Sequence, residues 1–265
     1  MSVNGYSLDP LVLCGCPTYA GKEPCLEPWH EALKAQTYKH LELFVIDNTV
    51  FGTMFLKAIQ DRGIPSVHLQ PWIDKPFEQH TFKRCWELIY ERARELGADW
   101  VFSVEADNIP APEALDTMLQ VATLARVHLI THGYPMHESA AKASEREMNT
   151  FFYDELGCML LSTDLLEEAL KHYDEYHKLS LAIYSMAERR RAGYCRLTCA
   201  FEVKHLDDAW PTEYPSHVDE LDPNDCSTCP TPVPPEDYST EIPHCLEEYV
   251  AAVEAENKPV LEEVG

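Results

Sequence analysis

Trp100-Val-Phe-Ser-Val104-Glu105-Ala106-Asp107-Asn108 is the stretch on which the reading of the fold turns. Trp100 to Val104 is a short apolar run of the kind that forms a buried strand, and it stops on two carboxylates. In an extended chain residues i and i+2 share a face, so Glu105 and Asp107 are expected to point the same way. Taken alone, such a pair is more often two solvated acids in a turn ahead of a helix, with Asn108 as a turn residue. The surrounding sequence decides between the two readings.

Upstream, Phe82, Cys85, Trp86, Ile89, Ala93 and Leu96 recur at helical spacing, which predicts a helix over Thr81 to Leu96 stopped by Gly97. Downstream, Pro112 suits the first turn of a helix running through Arg126, and Val127 to Thr131 resembles a further strand. Toward the N-terminus, Leu11 to Cys16 reads as a buried strand closed by Pro17, and Glu27 to Gln36 as a helix with Trp29 and Leu33 on one face. Leu41 to Ile46 is a second strand ending on Asp47-Asn48. Thr53 to Arg62 is a helix stopped by Gly63, and Ser66 to Leu69 is a weaker strand. Strands alternating with helices predict an α/β fold with a mostly parallel central sheet flanked by helices. Ligands of such sheets bind outside the carboxyl ends of the strands, where Thr18, Tyr19, Asp47, Glu105 and Asp107 fall.

The second half is less regular. Thr150 to Tyr153 and Cys158 to Leu161 read as strands with Asp154 and Glu155 between them. Thr163 is placed to cap a helix reaching about Tyr173, and a further helix runs from about Leu179 to Arg191, ended by Gly193. Tyr194 to Val203 reads as one strand followed by Lys204-His205. From Asp219 the chain is acidic and carries Pro230, Pro232, Pro234 and Pro235, the composition of a wrapped or disordered tail. The expected organisation is one domain over 1–215, in two halves at about 9–131 and about 132–215. An acidic, proline-rich extension follows over 216–265.

Composition excludes little but weights the choices. No run approaches the roughly 20 apolar residues of a membrane span. Met1-Ser2-Val3-Asn4-Gly5 has no basic region ahead of an apolar stretch, so the protein is expected to be soluble and cytoplasmic. The net charge of −24 disfavours a polyanionic partner unless basic residues concentrate locally, and the basic runs Lys83-Arg84 and Arg189-Arg190-Arg191 are short. Cys14, Cys16, Cys158, Cys195 and Cys199 lie in apolar runs, where free thiols are expected. Cys226-Ser-Thr-Cys229, with His217 and His244-Cys245 nearby, has the first half of a zinc spacing, but its second pair is adjacent and free surface thiols are the more ordinary reading.

Two oxygen ligands at Glu105 and Asp107 suit a hard cation, Mn²⁺ or Mg²⁺, which completes its shell with phosphates and water. Asp47-Asn48 offers hydrogen bonds to a base or ribose edge. Pro17-Thr18-Tyr19 offers a hydroxyl and a ring that can stack on a base. His205, at the end of a late strand, is a candidate third metal ligand.

In this order, the pieces resemble the family-2-like GT-A glycosyltransferases, whose fold is of the Rossmann type. The resemblance spans Leu11 to His205: Pro17-Thr18-Tyr19; Gln36-Thr37-Tyr38; Val45-Ile46-Asp47-Asn48-Thr49 with Gly52-Thr53; Lys83-Arg84 ahead of Gly97-Ala98-Asp99; Glu105-Ala106-Asp107 with Pro110 and Pro112; Gly157 to Ser162; Gly193-Tyr194; and His205. It implies that Thr18, Tyr19 and Asp47 hold the nucleoside of a UDP- or GDP-linked sugar, UDP first. It implies that Glu105, the Ala106 backbone and Asp107 meet metal, ribose or diphosphate, with His205 completing the metal site. Lys83 or Arg84 would face the diphosphate, although a surface role on their helix suits them equally.

Two departures stand out. The acidic signature has glutamate where aspartate is commoner. The Glu-Asp pair that supplies the base of inverting members is replaced by Ser180-Leu-Ala-Ile-Tyr184. Asp154 or Glu155 is then the first candidate base, with Asp174 or His177 behind them; the alternative is a retaining or altered activity. The reading is therefore a metal-assisted glycosyltransferase acting on a hydroxyl acceptor. It competes with a catalytically silent nucleotide-sugar-binding or scaffold protein. A nucleotidyltransferase fits less well, because Cys16 to Lys22 is a poor match to a glycine-rich phosphate loop. Hydroxymethylated bases in DNA remain acceptors that the net charge disfavours.

Overall fold

The computed structural model describes residues 2–3, 6–7, 9–49, 54–69, 77–132, 156–176, 178–190, 193–197 and 203–206. The expected strand at Thr150 to Tyr153, the Asp154-Glu155 pair, His177, the cysteine pair Cys226/Cys229 and the extension from 216 onward lie outside these residues. A short hairpin, β1 (Ser2–Val3) and β2 (Tyr6–Ser7), precedes the main body.

Among the described residues, seven strands form the central sheet: β3 (Val12–Thr18), β4 (Leu41–Asp47), β5 (Ser66–His68), β6 (Trp100–Val104), β8 (Leu129–His132), β9 (Cys158–Ser162) and β10 (Cys195–Leu197). Their spatial order is β10-β8-β9-β6-β3-β4-β5. All run parallel except β9, which lies antiparallel between β6 and β8. The mostly parallel α/β sheet expected from the sequence is the one observed.

Strand period 2 divides the core into two layers. Val12, Cys14, Cys16, Val45, Phe102, Val104 and Leu160 pack against α1 (Glu23–Lys34), α2 (Met54–Asp61) and α4 (Ala114–Ala125). Leu13, Phe44, Ile46, Val101, Met159 and Leu161 pack against α3 (Phe77–Leu96), α5 (Thr163–Lys171) and α7 (Leu179–Arg189), with the short α6 (Tyr173–Tyr176) between the last two. Gly15 faces α3 so closely that an added Cβ would lie 2.5 Å from Ile89 Cγ2, which is why α3 seats directly on β3. No helix among the described residues is long and apolar enough to cross a membrane.

Several expected boundaries shift for local reasons. Helix α1 begins at Glu23 rather than Glu27, because Pro24 is accommodated in the first turn. It ends before Gln36, whose buried side chain instead ties the two helices together: Nε2 donates to Ala32 O (3.2 Å) and Ala111 O (2.9 Å), and Oε1 accepts from Leu115 N (3.1 Å). The cap of α5 is Ser162, which accepts from Leu165 N (3.3 Å), while the Thr163 hydroxyl donates to Ala98 O (2.7 Å). Gly63 and Gly97 do end their helices, at φ of 74° and 69°, and Arg126 ends α4 in the same left-handed region.

The single strand expected over Tyr194 to Val203 is two strands in two sheets. Cys195–Leu197 extends the central sheet beside β8. β11 (Val203–His205) leaves it to pair antiparallel with β7 (Asn108–Pro110). Cys14, Cys16, Cys25, Cys85, Cys158 and Cys195 are buried and unbridged, as free thiols in apolar strands and helices should be. Burial pushes the Cys85 thiol up to about 12, so it stays protonated.

Candidate functional site

Because β3, β4, β5 and β6 run parallel, their carboxyl ends open on one edge of the sheet. In the hydrogen-bond register Thr18 stands beside Asp47, and Asp47 beside His68, forming a row across three strands. Asp47 is fully buried. Its Oδ1 accepts from the Thr49 amide (2.9 Å) and hydroxyl, and its Oδ2 lies 3.1 Å from His68 Nδ1. A carboxylate followed two residues on by a turn amide is the Asx arrangement that aspartate favours at strand ends. The Thr49 hydroxyl accepts from Ala20 N (2.9 Å), and Asn48 N donates to Thr18 O (2.8 Å). The loops after β3 and β4 are thereby tied to each other. Among the described residues the buried Thr18 hydroxyl has no hydrogen-bond partner, leaving its donor and acceptor capacity unused there.

Tyr19 follows at the rim, with its ring folded over Gly21; an added Cβ there would lie 2.3 Å from the ring. Glycine at this position leaves room for the Tyr19 ring, which stays partly exposed.

The acidic segment is a turn rather than an extended chain. Asn108 N donates to Glu105 O (2.9 Å), Glu105 N to Gly157 O (3.0 Å), and Asn108 Nδ2 to the same Gly157 oxygen (3.1 Å). Trp29 of α1 holds the strand end from below, its Nε1 donating to Val104 O (3.2 Å). The tightness of the turn separates the two carboxylates that an extended chain would align: Glu105 is exposed, whereas Asp107 is buried. This corrects the expectation of a shared face.

Asp107 Oδ2 accepts a hydrogen bond from Lys22 Nζ, an ion pair between residues 85 positions apart. Beneath the turn, burial holds the Cys16 thiol well above its ordinary range. Neighbouring Cys14, Glu105 and Asp107 raise it further and Lys22 opposes them, so the sulfur remains a neutral packing group.

β11 closes the turn from the other side. Its register sets His205 opposite Asn108, and Leu206 N donates to Asp107 O (2.8 Å). The backbone of the expected third ligand is therefore beside the acidic turn.

The basic pair Lys83-Arg84 is placed elsewhere. Lys83 Nζ lies 3.2 Å from Asp174 Oδ1 and 5.0 Å from the centroid of the Tyr173 ring. Arg84 pairs with Glu87 (3.0 Å) and Glu91 (2.8 Å) along its own helix. Both sit on α3, which packs on the sheet face opposite α1 and α4. Asp174 is engaged on that face as well. The replaced Glu-Asp stretch belongs to α7, where Ser180, Ala182, Ile183 and Tyr184 are buried and Tyr184 meets Tyr194 edge to face at 4.9 Å.

Sequence reading passed over Lys22, Thr49 and His68 as site residues. Lys22 carries a legible signal, since it falls a few residues beyond Thr18 where the chain turns into α1. His68 likewise ends a parallel strand. What the sequence did not contain was their partners.

Oxygen ligands at Asp107 and Glu105 are of the chemistry that Mn²⁺ or Mg²⁺ prefers. Yet among the described residues no group of three or more His, Cys, Asp or Glu side chains is gathered as a metal set. The one buried carboxylate of the turn carries an ammonium. The described residues thus do not by themselves assemble a metal centre.

No protein-family model and no curated protein matches the chain. Solved structures align with part of the chain at low identity. Glucosyl-3-phosphoglycerate synthase from Mycobacterium tuberculosis, in complex with phosphoglyceric acid, is 15% identical over 74% of this chain and 72% of that one, with a TM-score of 0.48. The mannosyltransferase PcManGT from Pyrobaculum calidifontis, in complex with GDP-Man and Mn²⁺, is 15% identical over 61% and 47%, with a TM-score of 0.42. S. aureus TarS is 13% identical over 60% and 29%, also at 0.42. At TM-scores below 0.5 these likenesses bring neither a residue role nor an activity with them.

Proposed function

We propose that this chain binds a nucleoside-diphosphate sugar at the carboxyl edge of its sheet and transfers the sugar to a hydroxyl acceptor. The observation that carries the reading is the Thr18–Asp47–His68 row standing beside the Glu105–Asn108 turn, with an unused buried hydroxyl at Thr18. Ligands of open parallel sheets bind at this edge. Asp47 is the fixed acceptor for a base or ribose edge, Thr18 adds a hydroxyl, and the Tyr19 ring lies at the mouth to stack on the base. UDP is the first donor to test and GDP the second.

In the transfer, the bond from the anomeric carbon to the diphosphate oxygen breaks and a bond to the acceptor oxygen forms. The acceptor proton passes to a carboxylate, for which Asp154 and Glu155 stand as the candidates; such a base is worth roughly 10²- to 10⁴-fold. A divalent cation, Mn²⁺ or Mg²⁺, is the finer reading of the same turn, with Asp107, Glu105 and His205 as ligands. The register of β11 against β7 favours it, and a bound cation would neutralise charge on the leaving diphosphate.

Calorimetric titration with UDP- and GDP-sugars, with and without Mn²⁺, tests this. Donor binding weakened about tenfold or more in Asp47→Asn is expected, from the loss of charge-assisted hydrogen bonding. Absence of binding by every nucleotide sugar refutes the reading. A Mn²⁺ enhancement lost in Asp107→Ala supports the metal, and an enhancement unchanged by that substitution removes it. Binding without hydrolysis or transfer assigns the chain to a silent nucleotide-sugar-binding or scaffold role.

A further inference from the structure

The chain carries a net charge of −24, so a diphosphate with its own negative charges needs a local cation in order to stay. The basic residues that sequence placed there, Lys83 and Arg84, are engaged with Asp174, Glu87 and Glu91 on the far face of the sheet. Among the described residues, the cation that the fold brings to the carboxyl edge is Lys22.

Its placement is built rather than incidental. Lys22 closes the 3₁₀ turn Ala20–Lys22, with its own amide donating to Tyr19 O (2.8 Å). The start of that turn is fastened to the Asp47 loop through Ala20 N and the Thr49 hydroxyl (2.9 Å). The stem of Lys22 therefore rises from a point fixed relative to the candidate nucleoside site. Its head reaches the Glu105–Asn108 turn, where Asp107 is 3% exposed and Lys22 itself 14% exposed. The ammonium is the more accessible member of the pair, and an arriving anion meets it first. Lys22 also stands at the head of α1, where the helix adds positive potential.

Resting on the donor-site reading above, we propose that Lys22 is the diphosphate-binding cation of this protein and that Asp107 is its counter-ion while the donor is absent. A lysine head is a compact point charge on a flexible stem, able to exchange a carboxylate oxygen for a phosphate oxygen without backbone movement. The exchange frees the Asp107 carboxylate for a ribose hydroxyl or a cation at the moment the diphosphate arrives. Lys22 thus adds discrimination between nucleoside diphosphates and bare nucleosides.

The test is calorimetric binding of uridine and UDP in EDTA, comparing wild type, Lys22→Met, Lys22→Arg and the double variant Lys22→Met/Asp107→Asn. Wild type should bind UDP more tightly than uridine. Lys22→Met should lose about tenfold or more of the UDP affinity and keep the uridine affinity, and Lys22→Arg should retain part of the difference. The double variant leaves no charge of the pair behind. It should show the same loss of preference for UDP, and it serves if Lys22→Met alone folds poorly. UDP binding in both methionine variants equal to wild type overturns the inference while leaving the donor site standing. So does an equal loss of uridine and UDP affinity. Failure of wild type to bind either ligand overturns the donor-site reading and this inference with it.

Discussion

The Lys22–Asp107 pair makes a quantitative prediction about stability, independent of any ligand. Asp107 is almost wholly enclosed and Lys22 nearly so, so each substitution alone leaves the other charge poorly solvated. Breaking a buried pair by removing one partner costs roughly 3–5 kcal/mol. Lys22→Met leaves the more buried charge behind and should fall near the middle of that range, about 4 kcal/mol. Asp107→Asn leaves an ammonium with some access to water and should cost nearer the lower bound, about 3 kcal/mol. The double variant removes both charges and should cost far less than the sum, giving a coupling energy of about 2–4 kcal/mol. Urea unfolding of the four proteins measures this directly. Thermal midpoints give a second readout, since each kcal/mol shifts Tm by about 2–4 °C for a protein of this size. Additive effects, within about 0.5 kcal/mol, would refute the pairing and with it the view that Asp107 is the counter-ion of Lys22.

Two further predictions concern the frame around the site. Gln36→Met keeps the bulk but removes hydrogen bonds to Ala32 O, Ala111 O and Leu115 N, so it should destabilise by about 2–4 kcal/mol in urea unfolding; a loss below about 0.5 kcal/mol would mean these groups find other partners. His128 is held below the ordinary imidazole range by burial and then by Arg190, with Asp164 and Glu168 opposing. The native state therefore takes up this proton at lower pH than the unfolded chain does. The contribution is complete above the ordinary value of about 6.5 and is lost as pH falls through the lowered one. The drop in urea midpoint between about pH 7 and pH 5 should accordingly be smaller in His128→Asn, and an unchanged drop would exclude His128 as a source.

Much of the fold was legible because its signals are local. Alternation of apolar runs with helical periodicities gave β3, β4, β5, β6 and β8 with their intervening helices, and Gly63 and Gly97 punctuated the helices through a backbone conformation that few other residues adopt. Errors fell where a non-local partner overrode a local pattern. Gln36 looked like a continuation of α1 until its side chain proved to bridge to α4. Tyr194 to Val203 looked like one strand because nothing in its composition announces that Val203–His205 leaves the central sheet for β7.

The site divides along the same line. The sequence by itself determined which residues end the parallel strands, and so placed Thr18, Asp47 and the Glu105–Asp107 segment at one edge. Strand direction and period are properties of short stretches of chain. Only the tertiary structure decided that Asp107 turns inward and Glu105 outward, that Lys22 crosses to meet Asp107, and that Lys83 and Arg84 face the other side of the sheet. Those outcomes depend on the register between strands and on which face of the sheet each helix covers. Both are fixed by packing between segments far apart in sequence, where no local pattern records them.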